Sequence, residues 1–285
     1  MRPLPALTTV LVRLAAMVRA ARAGAAARVR GGPPGGGHAP GVRFATYNAS
    51  LNRAAEGGLR ADLLAGDEQA RKVAQVIAAT RPDVLLLNEF DHDPEAARVF
   101  ADVYLGGAYR YRYADTCNTG VGSGLDLNAD GVVGTEPGTA AYANDALGFG
   151  FFPGQFCMLV LSKFPIDTHG VRTFQHFRWA DMPGALLPDD PGTPEPADFY
   201  SAEELAVLPL SSKSHWDVPV RVGRGRTVHF LVSHPTPPTF DGPEDRNGTR
   251  NHDEIRFWAD YISPRKGRYI VDDGSRRGGL KPGAA

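Results

Sequence analysis

The chain predicts an α/β domain. Three observations carry this: a strand–helix–strand opening, several later short apolar strands, and one long amphipathic helix near the end. Gly31–Gly37 reads Gly-Gly-Pro-Pro-Gly-Gly-Gly, a spacer that cannot pack, so the domain starts at about Gly41. Val42–Asn48 alternates as a strand, with Val42, Phe44 and Thr46 on one face. Val73, Val76, Ile77 and Thr80 recur at helical spacing, and Pro82 ends that helix. Val84–Leu87 is a continuous apolar run, the pattern of a central strand covered on both faces. Alternation of strand and helix at this scale is the signature of an α/β domain.

Asp115–Gly150 is rich in Gly, Asn and Asp and reads as a long loop. Strands are predicted at Phe156–Leu161, Ala206–Leu210, Val218–Val222 and Val228–Val232. Pro183–Pro196 is a proline-rich excursion between them. The last helix is predicted over Asn251–Ile262, with Ile255, Trp258, Ala259 and Ile262 as its apolar stripe. Tyr269–Val271 is expected to start a further strand. Residues 273–285 are Gly-, Arg- and Lys-rich and read as a disordered tail, so the domain is placed at 41–272. No repeat of 20–50 residues is visible in the sequence.

Apolar content of 42% and charged content of 22% are those of a soluble globular protein. The net charge of −1 conceals an asymmetry: residues 1–40 hold six Arg and no acid, which leaves −7 for residues 41–285. An acidic body weighs against non-specific DNA binding and suits small or lipid-like phosphate esters. The Ala/Arg-rich leader has apolar stretches at Leu4–Val12 and Leu14–Val18, interrupted by Arg13. It is open to two readings: a secretory leader cleaved near Ala25–Ala27, or upstream sequence mistaken for coding sequence. No uninterrupted apolar run of about 18 residues is present, so no membrane span is expected. Cys117 and Cys157 read as buried small side chains, with a single bridge as the alternative in an exported protein.

Three segments, Val42–Asn48, Asp83–Glu89 and Val228–His234, end apolar strands on polar residues. If the first two strands are parallel neighbours, Asn48 and Glu89 emerge at the carboxyl edge of the sheet, where open α/β sheets bind ligands. A carboxylate there suits Mg²⁺ or Mn²⁺, hard ions held by few carboxylates plus substrate phosphate. Asn48 can hold that carboxylate in place or touch phosphate. His234 follows a strand and is fixed by the prolines of His-Pro-Thr-Pro-Pro, so it is placed to donate to a phosphoryl or leaving-group oxygen. Arg246 and Arg250 offer guanidinium groups that match phosphate geometry, with an ordering network at the helix entry as the alternative. His215 is a second candidate for the substrate side, with a structural histidine at a strand start as its alternative. Asp126, Asn128, Asp130 and Gly131 match the first positions of a calcium loop, although Pro137 stands where its closing Glu should be. Weak Ca²⁺ binding and a plain Gly/Asp turn cluster both fit that segment.

Together these residues resemble the endonuclease/exonuclease/phosphatase superfamily, the fold of DNase I-like nucleases, sphingomyelinases and inositol phosphatases. The carriers are Thr46-Tyr-Asn48, Arg81–Glu89, Met158–Ser162 followed by Pro165-Ile166, and Ser233-His234. Asp145–Gly150 and Ser233–Pro238 look like a bacterial branch with a long Gly/Asp insertion. The resemblance implies a DNase I-like sandwich of two mixed β-sheets flanked by helices. It implies that Asn48 sits beside the metal, that Glu89 ligates it, that His234 contacts the scissile phosphate, and that Asp145 points into the cleft. The family pattern also has a Gly-Asp-x-Asn strand end and a closing Ser-Asp-His-type segment. Asp272-Asp273 lacks the Asn two residues on, and only 51 residues follow His234. The expectation is therefore a domain whose C-terminal strands are missing, with little or no turnover and an exposed sheet edge.

The sequence thus predicts a monomeric metal-dependent phosphoesterase whose substrate is a phosphate ester: nucleic acid, lipid head group or small molecule. A catalytically dead phosphate- or calcium-binding module is the rival reading.

Overall fold

The computed structural model describes residues 41–285 apart from Arg224, Pro282 and Ala285. The leader read from residues 1–40 lies outside them. The elements run β1 (Phe44–Leu51), α1 (Gly58–Ala65), α2 (Glu68–Thr80), β2 (Val84–Phe90), α3 (Pro94–Val99), β3 (Tyr111–Tyr113), α4 (Ala140–Asn144), β4 (Met158–Ser162), β5 (Arg172–Thr173), α5 (Ala202–Val207), β6 (His215–Gly223), β7 (Arg226–Ser233) and α6 (Arg246–Tyr261). They build two sheets, ordered β1-β2-β4-β3 and β5-β6-β7. The first sheet is mixed: β1 and β2 are parallel, and β4 runs antiparallel to β2 and β3. The second is antiparallel throughout.

The continuous apolar run of β2 is explained by this layering. Val84 and Leu86 face the other sheet and pack with Met158, Val160, Trp216, Val218, Val220 and Val232. Leu85 and Leu87 face the opposite way, onto a cluster with Leu59, Leu63, Val73 and Ile77 of α1 and α2. Side chains alternate along a strand, so a strand covered on both faces must be apolar at every position. Asp67 caps α2 through its side chain, and Arg81 ends it in a left-handed conformation. Outside the second sheet, α6 closes a third cluster of Phe174, Phe177, Trp179, Phe257 and Tyr261.

Several sequence expectations are corrected. Ala206–Leu210 is not a strand: α5 occupies Ala202–Val207 because Ser201 and Glu204 form a reciprocal capping box at its start. Of the apolar stripe assigned to the last helix, Ile255 and Ile262 face solvent, 57% and 56% exposed, whereas Trp258 packs against the aromatic cluster. The buried face is instead Arg250, Asp253, Glu254, Phe257, Asp260 and Tyr261. Periodicity alone favoured the wrong face because each buried charge there has fixed hydrogen-bond partners, which makes burial tolerable. Tyr269–Val271 contains the end of a 3₁₀ turn and a single bridge from Val271 to Arg277, not a strand. Asp273 and Leu280, in the stretch read as a tail, are tied to the rest of the fold. Asp273 accepts the backbone N–H groups of Gln175 and His176, and Leu280 packs beside the α6 cluster.

Of the two readings of the cysteines, the bridge is the one present: Cys117 and Cys157 form a disulfide with Cα atoms 6.0 Å apart. It fastens the Gly/Asp-rich insertion to the start of β4. The Cys157 carbonyl accepts the N–H of Phe90, the residue after Glu89.

Candidate active site

The carboxyl ends of β1 and β2 are not regular strand. The register runs Asn48↔Asn88 and then Leu51↔Phe90, so two residues of β1 oppose one of β2. This is a bulge, a device that re-aims side chains at sheet ends. Ser50 (φ 47°) and Glu89 (φ 57°) both occupy the left-handed region there. Non-glycine residues enter that region at a cost and persist where surrounding contacts fix them.

The contacts converge on Glu89. Asn48 Nδ2 donates to Glu89 Oε1 at 2.7 Å. Ser50 Oγ and Asn52 Nδ2 donate to Oε2 at 3.2 and 3.3 Å. The Asn48 carbonyl oxygen Oδ1 accepts the N–H of Ser50 at 3.1 Å, which fixes which way the amide points. From the second sheet, His234 brings Nε2 to 3.6 Å from Glu89 Oε1. At that distance the pair is an electrostatic contact rather than a short hydrogen bond. Glu89 and His234 are 25% and 18% exposed, so the cluster is reachable from solvent yet partly desolvated. The His234 ring, then the Asn48 and Ser50 donors, outweigh the desolvation of Glu89 and hold its carboxyl down to about 2. Glu89 is therefore an anion at any physiological pH.

Asp91 lies just behind. It accepts the backbone N–H of Arg53 at 2.7 Å and of Phe156 at 3.1 Å, stapling the β1 exit, the β2 exit and the β4 entry together. Burial raises its carboxyl to about 6 against those hydrogen bonds.

His234 is held from α6. Trp258 Nε1 donates to Ser233 Oγ at 3.0 Å, Asn251 Nδ2 to the Thr236 carbonyl at 2.6 Å, and the Thr236 N–H to Glu254 Oε2 at 2.5 Å. Lys213, buried two residues before β6, has its ammonium on Ser212 Oγ at 3.2 Å. Burial lowers it to about 8, with Glu254 and Glu89 among the charges that oppose that shift.

The other sequence candidates lie elsewhere. Asp145 does not reach a cleft: it is 1% exposed, and its oxygens accept the N–H groups of Leu127 and Gly134 inside the insertion. His215 is buried, with Nε2 on the Glu254 carbonyl at 2.9 Å and its ring against Phe257 and Trp258. It is a packing residue, and burial pushes its ring below the ordinary histidine range. Arg246 pairs with Glu244 and lies over the Phe199 ring. In the calcium-like loop, Asp126 accepts the N–H groups of Asp130 and Gly131, Asn128 donates to Asp130, and the buried Asn128 Oδ1 has no hydrogen-bond partner, contacts that a turn cluster and a calcium loop share.

Sequence reading missed Ser50, Asn52, Asp91, Lys213 and Glu254. For Ser50 and Asn52 a signal existed: polar residues at 48, 50 and 52 continue the two-residue alternation of β1 beyond Asn48.

Among the described residues no cluster of three or more His, Cys, Asp or Glu is arranged to hold a metal ion. The donor set still fits one kind of ion. Glu89 offers an ionised carboxylate, a hard oxygen donor. Beside it, Asn88, paired in register with Asn48, leaves its buried Oδ1 without a hydrogen-bond partner. One carboxylate with neutral oxygens suits a small divalent ion that completes its shell with water and substrate phosphate.

Fold and site together define an α/β protein of two packed sheets, flanked by helices, with an amide–carboxylate–imidazole cluster at the strand ends. Residues 45–278 match the model of the Endonuclease/Exonuclease/phosphatase family, and the chain belongs to that family, whose members act on phosphate esters. Among solved structures, it is similar to an endonuclease/exonuclease/phosphatase from Beutenbergia cavernae DSM 12333, at 16% identity and a TM-score of 0.39 over 80% of this chain and 46% of that one. It is also similar to sphingomyelinase C from Streptomyces griseocarneus, at 18% identity and a TM-score of 0.34 over 76% of this chain and 57% of that one. The chain spans about half the length of these solved structures. No curated protein matches it.

Proposed function

We propose that the cluster of Asn48, Glu89 and His234 is the phosphate-processing end of a metal-dependent phosphoesterase. The observation that supports this most is the convergence of an ionised carboxylate and an imidazole from two different sheets, Glu89 Oε1 lying 3.6 Å from His234 Nε2.

Glu89, with amide oxygen from Asn88, would hold a Mg²⁺ or Mn²⁺ ion. When bound, that ion supplies positive charge to a phosphoryl oxygen and so favours the transition state. The chain's own residues do the rest. Asn48, Ser50 and Asn52 fix both carboxylate oxygens of Glu89, which keeps the ligand from rotating away as charge moves. His234 faces the same carboxylate and donates a hydrogen bond to a phosphoryl or leaving-group oxygen as negative charge develops there. The bulge and the two left-handed residues present Asn48, Ser50 and Glu89 from sheet ends, and His234 follows directly on the end of β7.

The test is hydrolysis of bis(4-nitrophenyl) phosphate by the full chain with added Mg²⁺ or Mn²⁺. Turnover that stops on chelation and falls at least about 100-fold in Glu89→Ala supports the reading. Turnover that survives Glu89→Ala unchanged overturns it, and a folded wild type without turnover in either ion favours the rival, a phosphate-binding module that does no catalysis.

A further inference from the structure

Glu254 is a fully buried carboxylate, and the proposed mechanism leaves it without a role. Its oxygens are divided between two segments that flank the site. Oε1 accepts the N–H of Ser212 at 2.8 Å and faces Ser212 Oγ at 3.4 Å. Oε2 accepts the N–H of Thr236 at 2.5 Å. Its backbone carbonyl takes His215 Nε2 at 2.9 Å. Ser212 precedes β6 and Thr236 follows β7, and these strands meet at His215↔Ser233. The carboxylate therefore bridges the two chain ends where the sheet stops, two residues beyond His234. One turn earlier on α6, Arg250 donates to the carbonyls of Leu147, Pro209 and Leu210, which ties the Gly/Asp insertion to the same frame.

A helix that needed only to pack would present apolar groups. This one buries a carboxylate whose two acceptors meet backbone N–H groups of fixed position, an arrangement that selects one geometry. Buried charges are costly unless fully satisfied, so the segments cannot drift without breaking those bonds.

We propose that Glu254 is the positioning residue for His234: by gripping Ser212 and Thr236 together, it sets the imidazole against Glu89. This rests on the reading of the trio as the active site. The prediction concerns orientation rather than stability alone. In Glu254→Gln one acceptor is retained, but the amide NH₂ is brought against a backbone N–H, so one of the two segments is released.

The experiment compares wild type, Glu254→Gln and Glu254→Asp in two ways. Steady-state kinetics on bis(4-nitrophenyl) phosphate with Mg²⁺ are expected to show kcat lowered about 10- to 100-fold in Glu254→Gln, with KM changed less than about threefold and part of kcat recovered in Glu254→Asp. The His234 ring Cε1–H resonance is expected to broaden or split in Glu254→Gln, while that of the exposed His169 stays single. A sharp, unmoved His234 resonance in folded Glu254→Gln overturns the proposal, as does a kcat loss matched by the unfolded fraction. If the wild type shows no turnover, the phosphoesterase reading fails, and the resonance alone decides whether Glu254 orients His234. If Glu254→Gln does not fold, Asn251→Ala takes its place. It frees Thr236 from its carbonyl side and leaves the buried charge intact, and the same resonance change is required of it.

Discussion

Asn48 and Glu89 meet across two parallel strands at a level where the ladder is broken. The 2.7 Å bond from Asn48 Nδ2 to Glu89 Oε1 closes over a bulge in which Ser50 and Glu89 are both left-handed. The backbone strain and the side-chain bond are two sides of one arrangement. The bulge turns Glu89 toward Asn48, and the Asn48, Ser50 and Asn52 donors hold it there.

Replacing Asn48 by Ala leaves one Glu89 oxygen without its shortest donor. A hydrogen bond to a charged group contributes roughly 1.5–3 kcal/mol, and partial exposure places this one toward the low end. Urea denaturation is expected to show a loss of about 1–2 kcal/mol, with a larger relative loss in hydrolysis. A variant with unchanged activity would remove Asn48 from the site.

The Glu89 carboxyl lies at about 2, below its ordinary value. A lowered carboxylate contributes stability that is complete above the unfolded value and is lost as pH falls through the folded one. Relative to Glu89→Gln, the wild type should be the more stable at neutral pH, and that advantage should vanish between about pH 4.5 and pH 2. Unfolding free energies of both proteins across this range check the sign. A difference that stays constant down to pH 2 would show that the carboxylate is not held in this way.

Lys213 gives the opposite window. Its ammonium is buried and lowered to about 8, so the folded protein releases this proton before the unfolded chain does. Stability should rise with pH from about 8 to about 10.5, by as much as roughly 3 kcal/mol, in wild type but not in Lys213→Met. Parallel pH profiles for the two proteins would contradict the assignment.

The Cys117–Cys157 bridge closes a loop over a sequence separation of 40 residues and joins the insertion to the strand beside Glu89. The chain-entropy model gives it about 4 kcal/mol. Reduction, or Cys117→Ala with Cys157→Ala, should lower the melting temperature by roughly 10 °C. An unchanged melting temperature under reductant would mean that the bridge is not formed in solution.

The first sheet was legible because β2 must be apolar on both faces and because β1 and α2 carry clear periods. Glu89 and Asn48 were legible as polar residues at strand ends. What the sequence hid is polar burial. Ile255, Trp258, Ala259 and Ile262 mimic a core stripe, yet the face that packs carries Arg250, Asp253 and Glu254. Apart from the contacts of Asp253 with His252 and Arg256, its hydrogen-bond partners lie 18 to 103 residues away along the chain, beyond the reach of any local pattern. Asp145 misled for the same reason, and of the two readings of His215 the structural one is the one present. Each is a polar residue near a strand or loop end, and only tertiary contacts show that its hydrogen bonds are spent on structure.

Paramagnetic broadening by Mn²⁺ tests the shared site of Asn48, Glu89 and His234 most directly. Titration of the histidine-labelled chain should broaden the His234 ring resonance at stoichiometric metal, ahead of the other histidines, and Glu89→Ala should abolish the effect. Broadening that persists in Glu89→Ala, or that spares His234 and centres on the Asp126–Asp130 loop, would contradict the account.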